Sequence, residues 1–416
     1  MLYFAKTEIL GNRVSEGAAM KLIRRDSYLD RLVESIGTPD IKVITGVRRC
    51  GKSKLLEAFK EHVLENIPGA NVVHVNFNLV EFEGLLEYHT LLDHVESSFD
   101  PAGPNFVLID EVQMCEGFEK AVNSLHASEK YDIYITGSNA FLLSSDLATL
   151  FTGRTFEVEM LPFSFAEYRR YHGEPDVDAA FDRYVLEGGM AGSYIYKTPE
   201  ARYRYVAGVF DTLIVRDIRQ KHRVRSAGAL ERVADFMMDN VSNITSARSI
   251  AAGLGADGAD VSDRTVGSYL DHLCKAFLLY KMRRYDIRGK KYLSSGDKYY
   301  LCDHSFRYAK LGTRNLDYGR VYENIVAIEL MRRGWEVYVG VLYKKEVDFV
   351  AMRRGEKVYI QVSDDISGEK TFARECAPLL EIRDAYPKMI IARTKHDEYD
   401  HEGIRIVDIA RWLDGE

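Results

Sequence analysis

The sequence predicts an α/β protein: a parallel sheet with helices on both faces, then a helical region, then a second, smaller α/β unit. Three observations carry that prediction. Gly46-Val47-Arg48-Arg49-Cys50-Gly51-Lys52-Ser53 fits G-x-x-x-x-G-K-[ST] at every position, between an apolar run at 41–45 and an amphipathic stretch from Lys54 onward. A second apolar run, from Phe106, ends in Asp110 and Glu111, 58 residues beyond Lys52. Strand-like and helix-like segments alternate through and beyond these two motifs, the order of a doubly wound sheet with its ligand at the strand C-termini.

The first motif is a phosphate loop. A polyphosphate needs donors close in, and glycine lets backbone N–H groups approach it. The helix that follows turns its positive end toward the same place. Residues Gly46 to Lys54 are therefore the expected nucleotide contacts, with Lys52 on the β/γ-phosphates and the Ser53 hydroxyl on Mg²⁺. Asp110 is expected to complete the Mg²⁺ shell and Glu111 to polarise the attacking water. Gln113 stands close by as a further metal or water contact, or as a solvated loop amide. The motif does not separate ATP from GTP, because the base pocket lies outside it.

Bulk properties set the frame. At 416 residues the chain is expected to hold two or three domains, and 46% apolar with 29% charged residues is a soluble globular composition. A net charge of −7 excludes a global pull toward nucleic acid, so such binding has to come from local patches. Five cysteines are scattered without a C-x-x-C pair, which argues against a zinc site and suits a reducing cytoplasm. No apolar run approaches a membrane span, and the start lacks a signal-peptide pattern. Met20 reads as an alternative start to Met1.

Taken in order, residues 28–36 read as a helix closed by Gly37-Thr38-Pro39, and 41–45 as the strand before the loop. Residues 71–77 read as a strand, 85–99 as a helix and 106–111 as the strand that ends in the two carboxylates. Residues 131–135 form a further strand leading into Thr136-Gly137-Ser138-Asn139, and 155–158 another, just after Arg154.

Here the sequence resembles the AAA+-type ATPases of bacteria and archaea that carry a C-terminal nuclease-like domain. The residues behind this are G-V-R-R-C-G-K-S, L-I-D-E-V-Q, I-T-G-S-N, F-T-G-R and L-P-F-S-F-A-E-Y at 161–168. The resemblance spans nearly the whole chain from Met20 and implies ATP as the nucleotide. It further implies a sensor role for Ser138 or Asn139 and an arginine-finger role for Arg154. Such an arginine acts on a neighbour's nucleotide, so a homo-oligomer is implied; a plain surface arginine before an edge strand is the other reading.

Residues 163–239 read as a mainly helical lid, with Gly188-Gly189-Met190-Ala191-Gly192 as a flexible joint. Between 201 and 225 seven Lys or Arg stand against Asp211 and Asp217. A helix at 246–252, a glycine-rich loop, a helix capped by Ser262 and two strand-like runs give the order of a winged helix. Its expected wing is basic, with seven Lys or Arg from Lys281 to Lys298, which suits contact with a DNA backbone; docking of a protein partner is the other reading. Gly253-Leu254-Gly255-Ala256-Asp257-Gly258 spells G-x-G-x-x-G but follows a helix, so it reads as a loop and not as a dinucleotide site.

The last part runs α-β-β-β-α-β and resembles the PD-(D/E)xK nuclease fold through Glu323, Asp348 and Gln361-Val362-Ser363. In that fold two acids hold Mg²⁺ and a lysine assists the water. Here Gln361 stands where an acid is usual and Ser363 replaces the lysine, so the fold is expected without DNA cleavage. The expected division is an AAA+-type unit at 20–162, a helical lid and winged-helix region at 163–315, and a degenerate nuclease-like unit at 316–416. The expected function is a Mg²⁺-dependent ATPase that moves its C-terminal half. A nucleotide-gated DNA-binding protein is the alternative, and an ATP-regulated nuclease the third.

Overall fold

A computed structural model describes residues 23–415 apart from 138–149, 152, 221, 223, 225, 257–260, 294–295 and 314–316. The alternative start Met20 and the sensor candidates Ser138 and Asn139 lie outside the described residues.

The N-terminal part holds helix α1 (Asp26–Glu34), strand β1 (Ile41–Gly46), helix α2 (Lys52–Asn66), strand β2 (Asn71–Asn76) and helix α3 (Tyr88–Ser97). Strand β3 (Asn105–Asp110), helix α4 (Phe118–Ala127) and strands β4 (Tyr131–Thr136) and β5 (Thr155–Met160) complete it. The five strands form one parallel sheet in the order β2-β3-β4-β1-β5. With helices on both faces this is a P-loop ATPase fold. Its apolar runs are continuous because both faces are covered. Ile41 and Val43 face α3 and α4 on one side, whereas Ile44 faces Leu56 and Phe59 of α2 on the other.

Element boundaries fall within two residues of the reading for most of this half. The exception is 85–99, where a 3₁₀ segment (Val80–Leu85) precedes the shorter helix α3.

Helices α5 (Phe165–His172), α6 (Val177–Glu187), α7 (Pro199–Thr212) and α8 (Ala227–Asp239) follow, α7 running on into a π-helical segment (Leu213–Gln220). The glycines expected to form a flexible joint are instead packed. A Cβ on Gly188 would lie 2.3 Å from Asp303 Oδ1, and one on Gly189 2.3 Å from the Phe163 carbonyl oxygen. Gly189 N also donates to Asp303 Oδ2, so these glycines serve close approach of backbone and carboxylate.

Helices α9 (Ala247–Ala256) and α10 (Asp263–Lys275) come next, and Ser262 caps α10 by accepting from Thr265 N at 3.2 Å. The stretch 253–256, expected as loop, is the last turn of α9. Leu254 is buried there, and Gly253 lets Phe236 of α8 pack against it. Strand β6 (Leu279–Met282) pairs antiparallel with β9 (Lys298–Leu301), as the hairpin reading requires. The basic segment between them is not a free turn. Its strands β7 (Arg284–Asp286) and β8 (Lys291–Tyr292) leave the hairpin, and β7 pairs parallel with the C-terminal strand β10 (Glu336–Leu342). An otherwise open edge of that sheet thereby gains a partner.

The remaining elements are α11 (Ser305–Leu311), α12 (Tyr318–Arg332), β11 (Lys345–Arg353), β12 (Glu356–Ser363), α13 (Glu369–Glu381), β13 (Lys388–Ala392), β14 (Tyr399–His401), β15 (Ile404–Asp408) and α14 (Ile409–Asp414). They build an eight-stranded sheet in the order β14-β15-β13-β12-β11-β10-β7-β8. One hydrophobic core runs from α1 and α2 through the helical region to α12 and α14. No helix among the described residues is long and apolar enough to cross a membrane.

Candidate functional site

Strand β1 lies between β4 and β5, and its C-terminal end opens the phosphate loop. Gly46 has φ of 131°, and a Cβ there would stand 2.1 Å from the carbonyl oxygen of Met160, its partner on β5. Only glycine fits both the angle and the approach. Arg49 (φ 68°) and Gly51 (φ 109°) bend the chain into α2. No side chain caps the first turn of α2, so its leading N–H groups stay available to a ligand. The helix is held by Leu55, Leu56, Phe59 and Val63, all buried at helical spacing.

Lys52 is 7% exposed, and its Nζ donates to the carbonyl of Gly46 at 2.9 Å and of Val47 at 3.3 Å. The ammonium therefore lies inside the loop it follows. Val47 is core, and Lys54 pairs at the surface with Glu57 at 2.5 Å.

Asp110 ends β3 and is 1% exposed. Its Oδ1 accepts the Thr136 hydroxyl from the end of β4, while Oδ2 is buried with no hydrogen-bond partner among the described residues. A buried carboxyl oxygen left this way costs free energy unless a cation or donor meets it, and a hard divalent cation suits an oxygen donor. Glu111 then leaves the strand at φ 56°, its N–H donating to the same Thr136 hydroxyl at 3.1 Å. Its carboxylate accepts from Gln113 Nε2 and lines the cleft. Thr136 thus orients both acids. The sequence offered one signal for it, a polar residue closing an apolar strand.

The cleft has a volume of about 650 Å³ and joins the phosphate loop and Glu111 to residues outside the sheet. Leu29, Phe163, Tyr171, Ile195 and Tyr205 supply an apolar and aromatic wall of the kind that takes a planar base. Of these only Phe163 falls in a quoted motif, L-P-F-S-F-A-E-Y; no local motif marks the other four. A larger cleft of about 780 Å³, between α8, α11 and α12, contains none of the expected site residues.

Arg25 lines the cleft too, a residue that the sequence did not single out. It is 7% exposed and donates to Cys50 O at 3.1 Å, Leu161 O at 2.9 Å and both Glu167 oxygens at 2.7 Å. Glu167 closes a capping box with Ser164 at the start of α5. Arg332, at the end of α12, reaches the same carboxylate at 3.8 Å and bonds Pro162 O at 2.7 Å. Burial alone would push the Glu167 carboxyl up, but Arg25 and Arg332 outweigh it and hold it below the usual range.

Arg154 stands elsewhere. It is exposed at the start of β5, where its carbonyl accepts from Ile41 N at 2.9 Å, so it lies at the opposite end of β1 from Gly46. The intervening strand spans roughly 17 Å, which an arginine side chain does not bridge. Arg154 is out of reach of its own chain's phosphate loop. No group of three or more His, Cys, Asp or Glu suited to a metal occurs among the described residues.

Two protein families match the chain, one described as an AAA domain over residues 38–169 and one as a domain of unknown function (DUF8612) over 178–317. An uncharacterized protein of Haemophilus influenzae is 35% identical over 94% of this chain and 98% of its own. An uncharacterized protein of Methanocaldococcus jannaschii is 24% identical over 80% of this chain and 76% of its own. Among solved structures, the Walker-type ATPase of Pyrococcus abyssi aligns with a TM-score of 0.48 at 16% identity, over 69% of this chain and 95% of that one.

Proposed function

The chain belongs to the family of the Haemophilus influenzae protein and carries an AAA domain at 38–169, and from that premise we propose that it is a Mg²⁺-dependent ATPase whose nucleotide state moves its C-terminal half. The observation that carries this reading is the meeting of the loop lysine and Glu111 in one cleft of about 650 Å³, with Asp110, whose Oδ2 is buried without a partner among the described residues, immediately before Glu111 in the chain. Gly46 to Ser53 hold the phosphates through backbone N–H groups and Lys52, and the aromatic wall holds the base. Ser53 and Asp110 are the residues that would hold Mg²⁺, which supplies positive charge against the β- and γ-phosphates. Glu111 takes the proton of the attacking water, which Gln113 helps to place.

Because Arg154 is remote from its own loop, its proposed role is toward the nucleotide of a neighbouring copy. Ser138 or Asn139 is proposed to contact the γ-phosphate. The division at 20–162, 163–315 and 316–416 is part of this proposal, with 284–292 pairing across it into the C-terminal sheet.

The test is complementation. Lys52→Ala and Arg154→Ala are each expected to lose ATP turnover, and mixing the two proteins is expected to restore part of it. In mixed assemblies an intact loop then meets an intact arginine. Turnover surviving Lys52→Ala would sink the nucleotide reading; full activity of Arg154→Ala would remove only the shared site.

The order α9–α10–β6–β9 favours a second reading, a nucleotide-gated DNA-binding protein with slow hydrolysis. Against it, two of the basic residues counted for the wing are engaged internally: Lys281 pairs with Asp297 at 2.8 Å, and Lys298 is buried. A gel shift with ATP should weaken steeply as salt rises if this reading holds, and no shift at low salt rejects it.

A further inference from the structure

The carboxylates that the nuclease resemblance marks as metal ligands do not stand free. Glu323 comes from α12, and Glu346 and Asp348 share one face of β11. Lys298, from β9 outside the C-terminal unit, enters between them with its side chain 4% exposed. Its Nζ is 2.6 Å from Glu346 Oε1, 2.9 Å from Glu323 Oε1 and 3.9 Å from Asp348 Oδ1. The Tyr300 hydroxyl donates to Glu323 Oε1 at 2.6 Å, and Val362 N donates to Asp348 Oδ2 at 2.8 Å. Gln361, at the position where an acid is usual, turns its oxygen to Asp348 N at 3.4 Å, and Ser363 bonds its own strand end through Asp365 O at 3.1 Å.

These residues do not fit a divalent cation. An ammonium already makes the contacts that a metal ion would need, and the two remaining strand positions contribute neither charge nor an inward oxygen. We propose that Lys298 is the resident cation of this pocket and makes it a joint, not a metal site, by pinning the β6–β9 hairpin to α12 and β11. The electrostatics agree. Burial pushes the Asp348 carboxyl well up with Glu323 adding to it, and burial raises Glu323 against the pull of Lys298. For Lys298 burial works against the charge, yet Glu323, Asp348 and Glu346 outweigh it and hold the ammonium charged. The pocket thus balances its carboxylates with the lysine ammonium. The proposal is independent of the nucleotide reading.

It makes a gain-of-function prediction. Lys298→Met removes the resident cation and leaves three oxygen donors facing one space, the chemistry that hard cations bind. Terbium(III) luminescence is a direct readout, because Tyr300 lies against Glu323 and can sensitise a bound ion. In the nucleotide-free full chain, wild type is expected to give the same signal as Asp348→Asn. Lys298→Met is expected to gain a saturable one-to-one signal at least tenfold above wild type, lost again on adding Asp348→Asn. Lys298→Arg, which keeps the charge, should resemble wild type. A saturable wild-type signal that Asp348→Asn abolishes overturns the proposal, and so does a Lys298→Met protein that melts like wild type yet binds nothing. Should Lys298→Met fail to fold, wild type against Asp348→Asn, and against the milder rim change Glu346→Gln, decides alone: equal signals support the proposal and a wild-type excess refutes it.

Discussion

Replacing Glu111 by Gln is expected to leave nucleotide bound while slowing ATP turnover by about 10²–10⁴-fold, the usual contribution of a positioned general base. The change is nearly isosteric. Gln can still accept from Gln113 Nε2, and the backbone at φ 56° asks no more of Gln than of Glu. What disappears is a group able to take a proton. The two acids of the motif are not interchangeable here, because Asp110 is 1% exposed with one oxygen already on the Thr136 hydroxyl. Glu111 is the one that lines the cleft. Equilibrium binding of an ATP analogue and single-turnover hydrolysis separate the effects. Unchanged single-turnover rates would show that another group prepares the water, and lost binding would show that Glu111 shapes the cleft.

How much of this was legible in the sequence follows from where each signal lives. The phosphate loop and the carboxylates of β3 are local motifs with periodic neighbours, so their elements fall nearly where periodicity puts them. Arg25, Glu167 and Arg332 are different, since Arg25 meets Glu167 across 142 residues of chain and a charged residue read alone is assigned to the surface. One clue was present: Ser164-Phe165-Ala166-Glu167 has the S-x-x-E spacing of a capping box, and α5 begins with one. Lys298 shows the same limit in reverse. Counted with a basic wing by composition, it is buried among carboxylates that belong to later elements. Gly188 and Gly189 were readable as glycines but not as packing sites, because Asp303 and Phe163 are distant in sequence. Local pattern identifies the strand ends that carry chemistry; the wall of the cleft and the joints between units depend on pairings that only the folded chain creates.

Replacing Glu167 by Gln is expected to cost about 3–5 kcal/mol of stability, the penalty for leaving buried charge uncompensated. Arg25 and Glu167 have side chains 7% and 6% exposed, and Arg332, at 12%, shares the carboxylate. Gln keeps the shape but removes the negative charge that the Arg25 and Arg332 guanidinium groups share. Arg332 retains Glu329 at 3.0 Å, whereas Arg25 keeps carbonyl oxygens, among them Cys50 O of the phosphate loop, and the Tyr28 and Phe163 rings, with no second carboxylate among the described residues. Melting temperature at neutral pH should fall by about 4–6 °C. The pH dependence has a definite sign. Glu167 is held below its ordinary range in the fold, so its stabilisation is full above the unfolded glutamate range, near pH 4.3, and is lost as pH falls through the depressed folded value. The wild-type and Glu167→Gln melting curves should therefore lie apart at pH 7 and converge in acid. ATP affinity should drop in the same variant, because the donor that fixes Cys50 O loses its anchor. Melting within 1 °C of wild type at pH 7 would show that Arg25 and Arg332 find other partners, and that the phosphate loop is not tied to α12 through this carboxylate.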